Sequence, residues 1–239
     1  MSTTEPKPRI AVVTFPGSND DRDAAHALAQ LGAEPVAVWH ADDELPDVRA
    51  VVLPGGFSYG DYLRAGALAR FAPVMEAVRA LAAGGGLVLG ICNGFQVLCE
   101  AGLLPGALRP NHSLSFVCRD VPLTVERTDT PFTGRCAKGQ RLSIPIKHGE
   151  GCFFAGPELL SELEASGQIV LRYEGENPNG SVAGIAGVVN AEGNVMGLMP
   201  HPEHAVDPLI GSGSTDGALL LGSLVDAARV SVVEHAAVS

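Results

Sequence analysis

The segment Gly90-Ile91-Cys92-Asn93-Gly94-Phe95-Gln96 sets a cysteine between glycines two residues before and two residues after it. An apolar run, Leu87-Val88-Leu89, precedes it and helical spacing follows, which places Cys92 on a strand-to-helix turn. A nucleophile carried on such an elbow needs small neighbours, because the backbone turns too tightly for side chains there. The helix beginning just after the cysteine points unpaired N–H groups and its positive dipole end at the sulfur, favouring thiolate over thiol. The competing account is a buried structural cysteine, since cysteine is among the most buried residue types. The two glycines favour the nucleophile.

A thiol that attacks a carbonyl needs a base for its proton, and the base needs a third group to hold its tautomer and orientation. Met199-Pro200-His201-Pro202-Glu203-His204 contains candidates for both. Pro202 argues against a helix, and in an extended stretch His201 and Glu203 project from the same side. Two other readings compete. His201 and His204 would suit a metal, but no helix aligns them and no other Cys or His cluster accompanies them, so no metal is expected. A Pro-rich surface loop would leave Glu203 solvated. Taken with the elbow, the segment reads as a Cys92-His201-Glu203 triad.

Attack on a carbonyl puts negative charge on oxygen, which oriented N–H donors stabilise. Pro54-Gly55-Gly56-Phe57 follows a strand and lacks side chains that would keep a ligand from the backbone. The backbone N–H groups of Gly56 and of Asn93, the residue after the nucleophile, are therefore assigned to an oxyanion hole. Gln96 lies one helical turn beyond Cys92, placed either to bond a substrate or to serve as a buried structural amide. Gly211-Ser212-Gly213-Ser214 lacks the ending of a phosphate loop and reads as a surface loop.

These groups need a scaffold. With 239 residues, 46% of them hydrophobic, the chain can bury a large core, most simply as one α/β domain with its core about residues 8–232. A net charge of −11 with scattered basic residues makes nucleic acid or an anionic membrane an unsuitable partner. Five cysteines without a C-x-x-C pair suit a reducing cytoplasm, and neither a signal core nor a bilayer-spanning apolar run is present. Arg9 to Thr14, Pro35 to Trp39, Ala50 to Leu53 and Leu87 to Ile91 read as strands. Asp20, Asp21 and Asp23 open a helix that Gly32 closes, and a second helix follows Cys92 to about Gly102. From about Arg64, the residues Leu68, Phe71, Met75, Val78 and Ala82 keep helical spacing up to Gly84. Between Ser115 and Val189 strand-like runs predominate (Val121–Glu126, Leu142–Lys147, Val182–Val189), and Asp216 to Val230 reads as a closing helix. The expected fold is a single α/β domain, a mainly parallel central sheet flanked by helices with an added antiparallel portion.

The constellation of Gly90-Ile-Cys92-Asn-Gly94-Phe-Gln96 with His201-Pro-Glu203 resembles the class I (triad) glutamine amidotransferases, whose fold is flavodoxin-like. The resemblance extends through Phe15-Pro-Gly-Ser-Asn19, the long stretch from Pro54 to Gly66, Pro145 to Gly151, Asn177 to Ser181 and Gly197 to Glu203. It reaches the glutaminase subunits of phosphoribosylformylglycinamidine synthase and covers nearly the whole chain. It implies that Cys92, His201 and Glu203 cleave glutamine to glutamate and ammonia, with Gln96 and His148 contacting substrate. It further implies a large synthetase subunit (PurL) that binds ATP and Mg and uses the ammonia in purine synthesis, and a small third subunit (PurS). No cofactor is implied for this chain. Tyr59, Tyr62 and Arg64 are candidate docking residues, with core packing an equal account of the tyrosines. A glutaminase subunit of another amidotransferase, or a cysteine hydrolase of the same fold, is the alternative. One departure stands out: Asp20 occupies a position where the family usually has cysteine. Lying outside the triad, the change implies that the family's cysteine has no catalytic duty there.

Overall fold

Short β-branched runs separated by amphipathic helices build the first half of the chain. In the computed structural model, which describes residues 6–211 and 213–236, β1 (Arg9–Thr14) leads through α1 (Asp21–Gln30) to β2 (Glu34–Trp39). The first residues of the polar amino-terminal stretch, and Ser212 of the serine-glycine loop, lie outside the described residues. Next, β3 (Ala50–Leu53) leads through α2 (Val74–Ala83) to β4 (Leu87–Ile91), and α3 (Asn93–Glu100) follows at once. Every residue of β3 and β4 is buried, as in parallel strands covered on both faces.

The second half supplies β5 (Ala107–Arg109), β6 (Val117–Val125), β7 (Arg141–His148), β8 (Cys152–Phe154), α4 (Pro157–Ala165), β9 (Ile169–Tyr173), β10 (Ile185–Val189), β11 (Val195–Leu198) and α5 (Gly217–Ala236). One nine-stranded sheet runs in the order β2-β1-β3-β4-β11-β10-β9-β6-β7. Its first five strands pair in parallel and the remainder antiparallel, which is the mixed architecture expected. A small hairpin-like pair, β5 with β8, stands apart from it.

Two expectations about elements change. The helical spacing from Arg64 does not become one helix: a 3₁₀ turn spans Ala69–Phe71 and α2 starts only at Val74. Leu63 and Gly66 take left-handed φ values of 71° and 79°, which interrupt a continuous helix. Gly66 does so where its Cα lies against the backbone of Gln96 and Val97, so the loop is seated on α3. Likewise Val182–Gly184 forms a 3₁₀ turn and only Ile185–Val189 is strand. α4, β9 and β11 were not legible as separate elements.

The carboxyl ends of β1, β3, β4 and β11 gather at one edge of the sheet, where the loops after them carry the candidate chemistry. Although β7 lies at the far side of the strand order, it returns to this edge. The His201 amide donates to the Pro145 carbonyl at 2.8 Å. Because the antiparallel strands share a sheet with the parallel ones, both halves are expected to unfold together. Leu123→Ala, at a fully buried position of β6, should cost ~2–5 kcal/mol while leaving one urea transition, coincident by circular dichroism and Trp39 fluorescence. Two separated transitions would show an independent antiparallel unit.

Candidate active site

Steric limits shape the elbow. A Cβ on Gly90 would strike Leu98 and the backbone of Gly94, and one on Gly94 would strike the Leu53 carbonyl. Cys92 sits between them with φ 49° and ψ −103°, outside the regions L-residues prefer. Such a conformation costs of order 1–3 kcal/mol and persists only where its surroundings enforce it. Here the Cys92 amide donates to the Leu198 carbonyl at 2.8 Å, tying the elbow to β11. The thiol lies 3.9 Å from the Lys147 carbonyl.

His201 is fully buried, and its Nδ1 lies 2.6 Å from Glu203 Oε1. Pro202 opens a 3₁₀ turn, Pro202–His204, rather than continuing an extended stretch. Proline fits the first position of a helical turn because its missing N–H has no partner there anyway. The expected pairing of the two side chains survives on a different backbone. Burial opposes charging the His201 ring, but Glu203 and Cys92 outweigh it and push its pKa up to about 10. His201 Nε2 and Glu203 Oε2 are buried without a hydrogen-bond partner among the described residues, and the Cys92 thiol is among the groups that favour the charged His201 ring.

Cys92 opens onto a cavity of about 150 Å³, which Gly56, Asp61, Gln96, His148 and Glu150 also line. A larger open groove of about 570 Å³ around Arg127, Lys138 and Arg172 contains none of these groups. Asn93 buttresses the site with its side chain: Oδ1 accepts the Ser58 amide at 3.1 Å and Nδ2 donates to Gln96 Oε1 at 2.9 Å. Gln96 Nε2 in turn donates to the Glu150 carbonyl at 2.6 Å. His148 faces Asn111 Oδ1 at 3.0 Å through Nδ1, and an amide oxygen only accepts, so the ring N–H is on that nitrogen. Burial holds the ring neutral, with its pKa down at about 4. Asp61 is pushed the other way, to about 6, by burial and the nearby Glu150.

Sequence reasoning missed three contributors. Asp61 and Glu150 face the cavity, and their signal lay in the long stretches from Pro54 to Gly66 and Pro145 to Gly151. Asp20, read as outside the triad, is buried against its histidine: Oδ2 lies 3.7 Å from His201 Nδ1. Asp20, His201, Glu203 and His204 bring four possible ligand atoms within 4.8 Å of one another. Lys147 Nζ already supplies positive charge there, 2.5 Å from Asp20 Oδ1 and 3.2 Å from His204 Nε2. Of the candidate docking residues, Tyr59 packs inward with its hydroxyl 2.6 Å from His40 Nδ1. Arg64 forms a bidentate pair with Glu100, and Tyr62 is 74% exposed beside Leu63.

Known proteins match this chain in sequence and in fold. The model of the CobB/CobQ-like glutamine amidotransferase domain matches residues 7–218, which sets the class. Subunit PurQ of phosphoribosylformylglycinamidine synthase from Rubrobacter xylanophilus is 60% identical over 93% of this chain and 100% of its own length. The PurQ of Nocardia farcinica is 59% identical over 91% of this chain and 96% of that protein. Among solved structures, PurLQS from Thermotoga maritima superposes with a TM-score of 0.84 at 49% identity, covering 92% of this chain and 98% of the other. A putative GMP synthase protein from Thermoplasma acidophilum shares the fold alone, with a TM-score of 0.69 at 14% identity over 96% and 98% of the two chains. The chain belongs to the PurQ family of glutamine amidotransferase subunits of phosphoribosylformylglycinamidine synthase.

The depressed His148 pKa carries a stability consequence. The unfolded chain binds this proton more readily than the folded one, so the contribution is complete above pH 6.5 and is lost as pH falls from 6.5 towards about 4. That loss amounts to ~3 kcal/mol. Urea midpoints at pH 7 and 4.5 should therefore differ less in His148→Gln than in the wild type. An unchanged difference would show that His148 is not the group responsible.

Proposed function

We propose that this chain is the glutaminase subunit of phosphoribosylformylglycinamidine synthase, and that Cys92, His201 and Glu203 carry the hydrolysis of glutamine to glutamate and ammonia. The observation that supports this most is the strained cysteine opening onto a small cavity while a buried histidine, paired to Glu203 at 2.6 Å, acts on its thiol.

The Cys92 thiolate attacks the side-chain amide carbon, and the carbonyl oxygen takes up the negative charge. Backbone N–H groups of Gly56 and Asn93 hold that oxygen. Asn93 is the first residue of α3, where amides lack intrahelical acceptors. Gly56 bridges Ser18, and the amides on either side of that bridge serve it: Phe57 donates to the Gly17 carbonyl and Asn19 to that of Gly55. Imidazolium at His201 gives its proton to the departing ammonia, leaving a thioester. Water, deprotonated by His201, then releases glutamate and restores the thiol. Gln96 and His148 shape the cavity wall as substrate contacts. The carboxylates of Asp61 and Glu150 suit the α-ammonium group of glutamine, whose positive charge would offset the burial and the Glu150 repulsion that raise the Asp61 pKa.

Ammonia formed here is used by a partner. The relative from Thermotoga maritima is solved as PurLQS, and a large synthetase subunit, PurL, with ATP and Mg, together with PurS, is the corresponding assembly for this chain. Its ATP-dependent step converts formylglycinamide ribonucleotide to the amidine. No helix of the described residues is long and apolar enough to cross a membrane. Exposed Phe57, Tyr62 and Leu63, beside the catalytic loop, offer the apolar and aromatic surface that interfaces favour.

In the assembled complex, Cys92→Ala should abolish glutamine-dependent synthesis and spare synthesis from ammonium salts, because only amide cleavage needs the thiol. Cys99→Ala serves as the control, since burial holds that thiol protonated. Glutamine hydrolysis by Cys92→Ala above about a hundredth of the wild-type rate, where loss of a nucleophile ordinarily costs far more, would remove Cys92 from its role. Glu203→Gln should lose less than His201→Ala, since it keeps a hydrogen-bond partner but not the charge favouring imidazolium. Near-wild-type rates for both would exclude the triad.

A further inference from the structure

Asp20 occupies the position before α1, where an acidic side chain ordinarily caps the helix. It makes no capping bond. Its carboxylate turns inward instead and is 3% exposed. Oδ2 lies 3.7 Å from His201 Nδ1, while Oδ1 accepts from Lys147 Nζ at 2.5 Å and lies 3.3 Å from His204 Nε2. A Cβ on Gly55 would fall on both Asp20 Oδ2 and the His201 ring, so the bare glycine lets them meet. His201 Nδ1 thus faces two carboxylates, Glu203 at 2.6 Å and Asp20 at 3.7 Å.

We propose that Asp20 is a second positioning carboxylate for the histidine of the triad, and that Lys147, by pairing with Asp20, moderates how firmly His201 holds its proton. The inference rests on the hydrolase reading only in taking His201 as the base.

Charges converge on His201 from each surrounding element. Glu203 and His204 come from its own 3₁₀ turn, Asp20 from the loop after β1, Lys147 and His148 from β7, and Cys92 from the elbow; Asp23 of α1 lies 3.6 Å from His204. His148 is held neutral among asparagines. Burial alone would raise the pKa of Asp20. Hydrogen bonds from His204 and Lys147, with the charge of His201, overcome burial and hold its carboxyl well below the usual carboxylate range. Two fixed anions therefore oppose one fixed cation around the imidazole. An opposite charge within 4–6 Å typically moves a pKa by about 1–3 units, and the partial screening by Lys147 places Asp20 near the lower end.

The two partners have opposite effects, which separates charge from shape. Asp20→Asn removes an anion and should lower the His201 pKa by about 1 unit. Lys147→Met removes the screening cation and should raise it. Carbon-13 histidine NMR titration of the full chain reads both, with the His201 Cε1 resonance assigned by its loss in His201→Gln. The alkaline limb of kcat/KM for glutamine hydrolysis should move in the same directions. Asp20→Glu, which keeps the charge, should recover part of the shift. Unmoved His201 titration in Asp20→Asn, or shifts of one sign in both variants, would overturn the inference. If Asp20→Asn fails to fold, the upward shift in Lys147→Met decides the matter, and its absence counts against Asp20. The expected NMR shifts without any glutamine hydrolysis by the wild-type complex would refute the hydrolase reading and leave the Asp20 inference standing. Hydrolysis without those shifts would do the reverse.

Discussion

Helix α3 begins so close to the ends of β3 and β4 that no side chain fits between them, and the rest of the site follows from that contact. Gly94 lies against the Leu53 carbonyl and Gly90 against Leu98 and Gly94, so the backbone between them is forced through the left-handed conformation of Cys92. The strain is sustained because buried strands on either side, β3 and β11, cannot yield. Behind the elbow, Phe95 fills the space over Gly197 and stacks on Phe153 with 5.9 Å between ring centroids. The same contact fixes the direction of the thiol, the start of the helix and the position of the Asn93 side chain. Asn93 then joins the elbow to Ser58, and Gln96 joins it to Glu150.

A second constraint is electrostatic. Placing a carboxylate and an imidazole in a buried site is costly unless the charges are matched. Glu203 has its imidazole partner, and Asp20 has Lys147, so each anion meets a cation or potential cation at hydrogen-bonding distance. His201 and Glu203 come from the loop after β11 and Asp20 from the loop after β1, two strands of the parallel part of the sheet, while Lys147 reaches the same place from within β7. Strand ends point to one edge and deliver side chains from distant parts of the sequence without long connections.

Three of the six left-handed non-glycine residues among the described residues fall in the one loop that brings Asp61 to the cavity. Tyr59, Asp61 and Leu63 have φ values of 54°, 55° and 71°, in one short loop that also carries exposed Tyr62. Residues held in this region mark places where surroundings over-determine the backbone. The Tyr59 hydroxyl on His40 and the seat of Gly66 on α3 do so here. One end of the loop faces the cavity through Asp61, and the other offers aromatic and apolar groups to solvent. A partner seated on the exposed end would touch the segment that carries the cavity wall.

The sequence by itself determined the elements whose signals are local. Gly-x-Cys-x-Gly identified the elbow because sterics within five residues demand it, and the apolar runs at residues 9–14, 50–53 and 87–91 identified buried strands because each is covered on both faces. His201 and Glu203 were legible as a pair because they lie two residues apart, even though the turn between them proved 3₁₀ rather than extended. Only the tertiary structure decided what depends on chain-distant contacts. The helical spacing from Arg64 was overridden where Gly66 meets the backbone of α3, and the weak run Val195–Leu198 became a central strand through its neighbour β4. Asp20 illustrates the limit most clearly. In the sequence it is one of three acids at a helix start, where dipole and cap would account for it. In the fold it lies against His201 and Lys147, residues more than a hundred positions away that no local pattern could bring to it.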